Sequence, residues 1–155
     1  MSAERLLIGL GNELRGDDAA GLLVARAARR QRTAGIGVVE REGEPIDLIG
    51  DWERARAVVV ADAVDSGGEP GRVYRVDAAT GPLPAAFAGP STHALGLADA
   101  IELARALDRL PARLVVFGIE GGSFTAGAEP IPAVVAAADA VAAAALAELG
   151  AAARD

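Results

Sequence analysis

The chain has 155 residues, 52% of them hydrophobic, and a formal charge of −7. It is long enough for one domain with its own core and too acidic to track nucleic-acid phosphates. The absence of cysteine excludes disulfides, thiolate metal sites and cysteine nucleophiles, and accords with a cytoplasmic protein.

The N-terminal MSAERLLIGL has neither a long hydrophobic segment nor a cleavage pattern, so no signal peptide is expected. Arg5–Leu10 reads as a buried strand bounded by glycine. Ala20, Leu23, Val24 and Ala27 follow at helical spacing, and Gly35 and Gly37 close that helical region. A second strand starts at Ile36–Glu40, and Pro45 opens a short helix over Ile46–Arg54. Ala57–Ala61 (AVVVA) is the clearest buried strand. The turn Ser66–Gly71 leads to a strand at Arg72–Val76, and residues 80–90 read as a loop. Leu97, Ala100, Ile101, Ala104 and Leu107 mark a second long helix, Leu114–Ile119 a fifth strand, and Pro130 onward an alanine-rich helix. The longest apolar stretches are alanine-rich, or valine-rich and too brief to span a bilayer, so no membrane insertion is expected.

The order β-α-β-α-β-β-α-β-α predicts a single α/β domain over residues 1–155, with a mostly parallel sheet and helices on both faces. Ligands of such sheets bind beyond the carboxyl ends of the strands. Asn12, Glu13, Asp17 and Asp18 follow the first strand. Asp62 and Asp65 follow AVVVA, Ser91, Thr92 and His93 precede the second long helix, and Glu120, Gly121, Gly122 and Ser123 follow the last strand. Two carboxylates and the single imidazole, His93, can meet on that rim, a donor set that suits nickel, zinc or iron. Each residue has a plainer use. Asp17 or Asp18 can cap a helix, Asp62 a turn, and His93 can stand at a helix start. The glycines of GLGN can make a tight turn, and Glu120 can end a strand or bind substrate.

Other motifs fail. Leu14 stands where the third glycine of G-x-G-x-x-G belongs. There is no phosphate-binding G-x-x-x-x-G-K-[ST], no H-E-x-x-H and no G-x-S-x-G nucleophile turn.

Four blocks in order carry a resemblance: GLGNELRGDDAAG (Gly9–Gly21), VVVADAVDSGGEPG (Val58–Gly71), STHALGLADAI (Ser91–Ile101) and VVFGIE (Val115–Glu120). Over nearly its whole length the chain resembles the hydrogenase maturation proteases, which remove a C-terminal extension from the large-subunit precursor of NiFe hydrogenases once nickel is inserted. The resemblance implies a three-layer α/β/α sandwich around a twisted, mostly parallel five-stranded sheet. It also implies metal-binding and catalytic roles for Asp18, Asp62 and His93, with the nickel supplied by the substrate and zinc or cadmium able to occupy the site in vitro. The implied partner is the hydrogenase large-subunit precursor. Two segments depart from the family pattern. Arg41-Glu42-Gly43-Glu44-Pro45 stands in place of a DGGT-type stretch, and Gly121 and Gly122 follow Glu120 where relatives often have proline. Competing readings are a metallo-hydrolase with its own zinc acting on small peptides, and a non-catalytic module that escorts the hydrogenase subunit.

Overall fold

The structure is a computed structural model and describes residues 4–31, 34–88 and 95–152. Five strands form one sheet: β1 (Arg5–Leu10), β2 (Ile36–Arg41), β3 (Ala57–Val64), β4 (Val73–Asp77) and β5 (Arg113–Glu120). Their order across the sheet is β2-β1-β3-β5-β4. β1, β2, β3 and β5 run parallel, and β4 pairs antiparallel with β5 at one edge. The helices are α1 (Ala20–Gln31), α2 (Leu48–Trp52), α3 (Leu97–Ala106) and α4 (Pro132–Ala152). The predicted element order and fold class hold.

Strand alternation divides the core in two, because successive side chains point to opposite faces of the sheet. Leu7, Val59 and Val115 join α1 and α4 on one side. Ile8, Val58, Val60 and Val116 join α2 and α3 on the other. The inner strands are apolar on both faces, as parallel strands covered twice must be. β4 alternates exposed and partly buried positions, as expected of an edge.

Several boundaries move. The short helix after Pro45 is a 3-10 turn (Pro45–Asp47) followed by only five α-helical residues. The loop at 80–90 contains a further 3-10 turn, Ala85–Ala88. β3 runs three residues past AVVVA because its partner β5 is equally long, and the pairing continues through Asp62↔Gly118 to Val64↔Glu120. At 21 residues and mean hydropathy 1.7, α4 is long and apolar enough to cross a membrane by length and composition alone. Its apolarity has another use. Val134, Val141, Leu146 and Leu149 are buried against α1 and the sheet.

Candidate functional site

β1 connects to β2 on one side of the sheet while β3 lies on its other side, so the strand order reverses between β1 and β3. A crevice outside the carboxyl ends of the strands is expected at such a point. The GLGN turn is shaped by proximity. A Cβ on Gly21 would lie 2.1 Å from the Leu10 carbonyl oxygen and 2.3 Å from that of Ala61, so only glycine lets α1 start this close to both strands. Asn12 closes the turn as expected, its Oδ1 accepting the Leu14 N–H at 2.9 Å. Gly16 has φ +57°, with Ser123 O 2.5 Å from where a Cβ would be. It opens a 3-10 turn, Gly16–Ala19, that carries the acidic pair and leads into α1.

The two aspartates divide their work differently from the expected cap and ligand. The 3-10 turn has no side-chain cap, and its N-cap position is Arg15. Asp17 is wholly buried. Its Oδ2 accepts the N–H groups of Gly122 (2.7 Å) and Ser123 (2.9 Å), and its Oδ1 accepts that of Ile131 (2.8 Å). It is therefore a tie to the segment after β5. The sequence carries no signal of this, because the three donors lie more than a hundred residues away.

Asp18 is half-buried on the same 3-10 turn. Asp62 lies inside β3, as its sixth residue, and not after the strand as the sequence suggests. Alternation along β3 places it on the face of Val58 and Val60, toward the α2 and α3 layer. Its Oδ1 accepts the N–H of Ala63 at 2.8 Å. Burial pushes the Asp62 carboxyl up to about 7, the Ala63 N–H opposes the rise, and the negative charge of Asp18 adds to it. The two carboxylates thus sense one another at the β1/β3 switch point.

Ser91, Thr92 and His93 lie outside the described residues. On either side of that stretch in the chain, Phe87 and Leu97 pack in the α2/α3 layer, the layer Asp62 faces. Among the described residues no three Asp, Glu, His or Cys side chains group closely enough to hold a metal ion. Among the described residues Asp18 and Asp62 make a pair of neighbouring carboxylates.

Glu120, which the sequence leaves between strand end and substrate ligand, is the last residue of β5 and wholly buried. Its carboxylate accepts the Ser66 N–H (2.8 Å), the Ser66 hydroxyl, the Tyr74 hydroxyl (2.9 Å) and the Gly68 N–H. Burial raises its pKa, but these donors outweigh burial and hold it below its ordinary 4.5. Glu120 is thus an anchor for the turn after β3, and Ser66 is its partner. On the α1/α4 side a cleft of about 400 Å³ opens beside the GDD turn, between Leu14, Leu23, Pro130 and Val135.

The HycI model, described as hydrogenase maturation protease, matches residues 23–148. The chain belongs to the hydrogenase maturation protease family. The match includes Asp62 and His93 and begins after Asp18. The hydrogenase expression/formation protein HupD of Thiocapsa roseopersicina is 29% identical over 119 residues, which is 76% of this chain and 54% of HupD, so the chain spans about half of that relative's length. Two solved members of the family have similar folds. One is the NiFe hydrogenase maturation protease HycI from Thermococcus kodakarensis KOD1, with a TM-score of 0.72 at 29% identity over 94% of this chain and 92% of that one. The other is the hydrogenase maturating endopeptidase HybD from E. coli, with a TM-score of 0.74 at 28% identity over 97% and 94%.

Proposed function

We propose that this member of the family is a cytoplasmic endopeptidase that removes the C-terminal extension of a NiFe hydrogenase large-subunit precursor after nickel insertion, recognising the nickel held by that substrate. The observation that carries the reading is the pairing of Asp18 with Asp62 at the β1/β3 switch point, where among the described residues Asp62 accepts one amide N–H, that of Ala63, and burial raises its pKa. A carboxylate that is half-buried and faces a second negative charge is disfavoured alone and favoured once a cation arrives. His93 supplies the third donor in this reading.

The nickel belongs to the substrate, so the chain needs no resident metal of its own. Asp18, Asp62 and His93 orient the peptide and a water near the ion. A divalent ion polarises a scissile carbonyl and lowers the pKa of a bound water. A carboxylate of the pair or His93 takes the water's proton as general base in this reading. This accounts for a protease whose sequence has no cysteine and no H-E-x-x-H pair.

The test is mass spectrometry of large-subunit precursors, with and without nickel, after incubation with the protein. The expected result is loss of the C-terminal extension from the nickel-loaded precursor only. Asp18→Ala, Asp62→Ala and His93→Ala should each slow that cleavage by about a hundredfold or more. Wild-type rates in all three, or equal cleavage of the nickel-free precursor, would remove the proposal.

A further inference from the structure

Asp17 is the wholly buried carboxylate of the acidic turn that the proposed chemistry does not use. Its three accepted bonds, from Gly122, Ser123 and Ile131, gather both ends of the segment between β5 and α4 onto one side chain. Backbone bonds complete the seam: Asp17 N–H to Ser123 O (2.8 Å), Gly16 N–H to Ala128 O (3.1 Å) and Gly127 N–H to Leu14 O (2.8 Å). Asp18 is the next residue. Its N–H donates to Arg15 O and its own carbonyl accepts the Asn12 N–H, both at 3.1 Å, so its backbone is held by the turn that Asp17 fastens. Packing is tight on the other side as well. A Cβ on Gly121 would come within 2.8 Å of Asp17 Cβ and 2.5 Å of Phe124 Cζ.

We propose that Asp17 is a positioning residue: by tying residues 122–131 to the β1–α1 turn it fixes Asp18 opposite Asp62, and so sets the affinity of that pair for a divalent cation. The inference rests on the reading of Asp18 as a cation ligand. A buried carboxylate is a costly device for fastening a loop unless each oxygen is met by donors. Here both oxygens are met, and the charge is spread over three amides of a single segment. An asparagine has the same shape but turns one of those acceptor oxygens into a donor. Either Ile131 or the Gly122–Ser123 pair then loses its acceptor.

The experiment compares wild type, Asp17→Asn, Gly121→Ala and Leu149→Ala. The last is a control in the α4 core that loosens the fold without touching the turn. Two quantities are read: cobalt(II) affinity and ligand-field absorption, and hydrogen exchange of the amides of residues 15–19. Asp17→Asn should weaken cobalt binding tenfold or more, change the absorption, and speed exchange at Asp18 beyond any global change. Gly121→Ala should act in the same direction with a smaller effect, and it carries the test if Asp17→Asn does not fold. Leu149→Ala should lower the melting temperature yet bind cobalt within twofold of wild type. Wild-type cobalt affinity together with wild-type protection of Asp18 in the Asp17 and Gly121 variants would overturn the inference. If wild type itself binds no cobalt, the pair does not hold a free ion and the claim about its cation affinity falls, whereas the reading of a substrate-held nickel is decided by the cleavage assay. The positioning role is then judged by exchange alone, and unchanged protection at Asp18 would overturn it.

Discussion

At the end of β5, Glu120 is wholly buried and its carboxylate is met by the Ser66 and Gly68 amides and two hydroxyls. One strand over, on β3, Asp62 accepts a single amide N–H among the described residues, that of its own neighbour Ala63, and faces the charge of Asp18. Both are acidic residues near the carboxyl end of a central strand, and their pKa values move in opposite directions. The difference lies in the donors. Where the fold supplies enough N–H and O–H groups, a buried carboxylate stays ionised and holds loops together. Where it withholds them, the carboxylate is left in need of a proton or a cation. That contrast marks Asp62 as the available group and Glu120 as the built-in one.

Breaking the anchored side should have the largest effect on stability. Glu120→Ala removes the acceptor of the Ser66 and Gly68 amides and the Tyr74 hydroxyl; a buried donor left unpaired costs about 1–3 kcal/mol, and the exposed Ser66 regains part of its share from water. A loss of roughly 2–3 kcal/mol is expected in urea unfolding at pH 7. A loss below about 1 kcal/mol would mean that water replaces the carboxylate easily and that the contrast with Asp62 is overdrawn.

Asp62→Asn should do the reverse. The folded pKa of Asp62 is raised from 3.8 to about 7, so the folded state keeps a proton that the unfolded chain has lost. Stability therefore falls as pH rises from about 4 through 7, and the full penalty is present above 7. Each pKa unit is worth about 1.4 kcal/mol at most, and partial exposure reduces it. Asp62→Asn is expected to stabilise the metal-free protein by about 1–2 kcal/mol at pH 8 and by almost nothing at pH 4, while abolishing cleavage. Denaturation at both pH values is the check. A variant less stable than wild type at pH 8 would show that Asp62 is satisfied after all.

Much of this was legible in the sequence. Short apolar runs alternating with helical spacing give the order and type of the five strands and the three long helices, because buried parallel strands must be apolar on both faces. The acidic pair and Asp62 stand out for the same reason: charge directly beside buried strands needs a purpose. What the sequence hides is partnership. Nothing local distinguishes Asp17 from Asp18, since the amides that claim Asp17 come from Gly122, Ser123 and Ile131. Nor does the run LVVFGIE reveal that its glutamate turns to Ser66 and Tyr74 across the sheet. The end of β3 was misplaced because Asp62 interrupts the apolar run, whereas pairing with β5 continues regardless.

The mildest test removes one donor from the anchored carboxylate. Tyr74 donates to Glu120 Oε1 at 2.9 Å, and its ring meets Phe87 edge-on at 6.0 Å with the Arg72 guanidinium 4.8 Å from its centroid. Tyr74→Phe keeps the ring and both of its contacts, so the difference isolates the hydroxyl. The expected loss is about 1 kcal/mol at pH 7, since the Ser66 and Gly68 donors remain. It should also carry a pH signature. Glu120 is held below 4.5, so its contribution is present above that value and disappears as pH falls through the folded pKa. Losing the Tyr74 donor raises the folded pKa toward 4.5 and narrows that window. The difference between Tyr74→Phe and wild type should therefore shrink as the pH is lowered from 7 to below 4. A difference that stays constant with pH would assign the hydroxyl's contribution to its contact with the Ser66 hydroxyl and leave Glu120 resting on Ser66 and Gly68 alone.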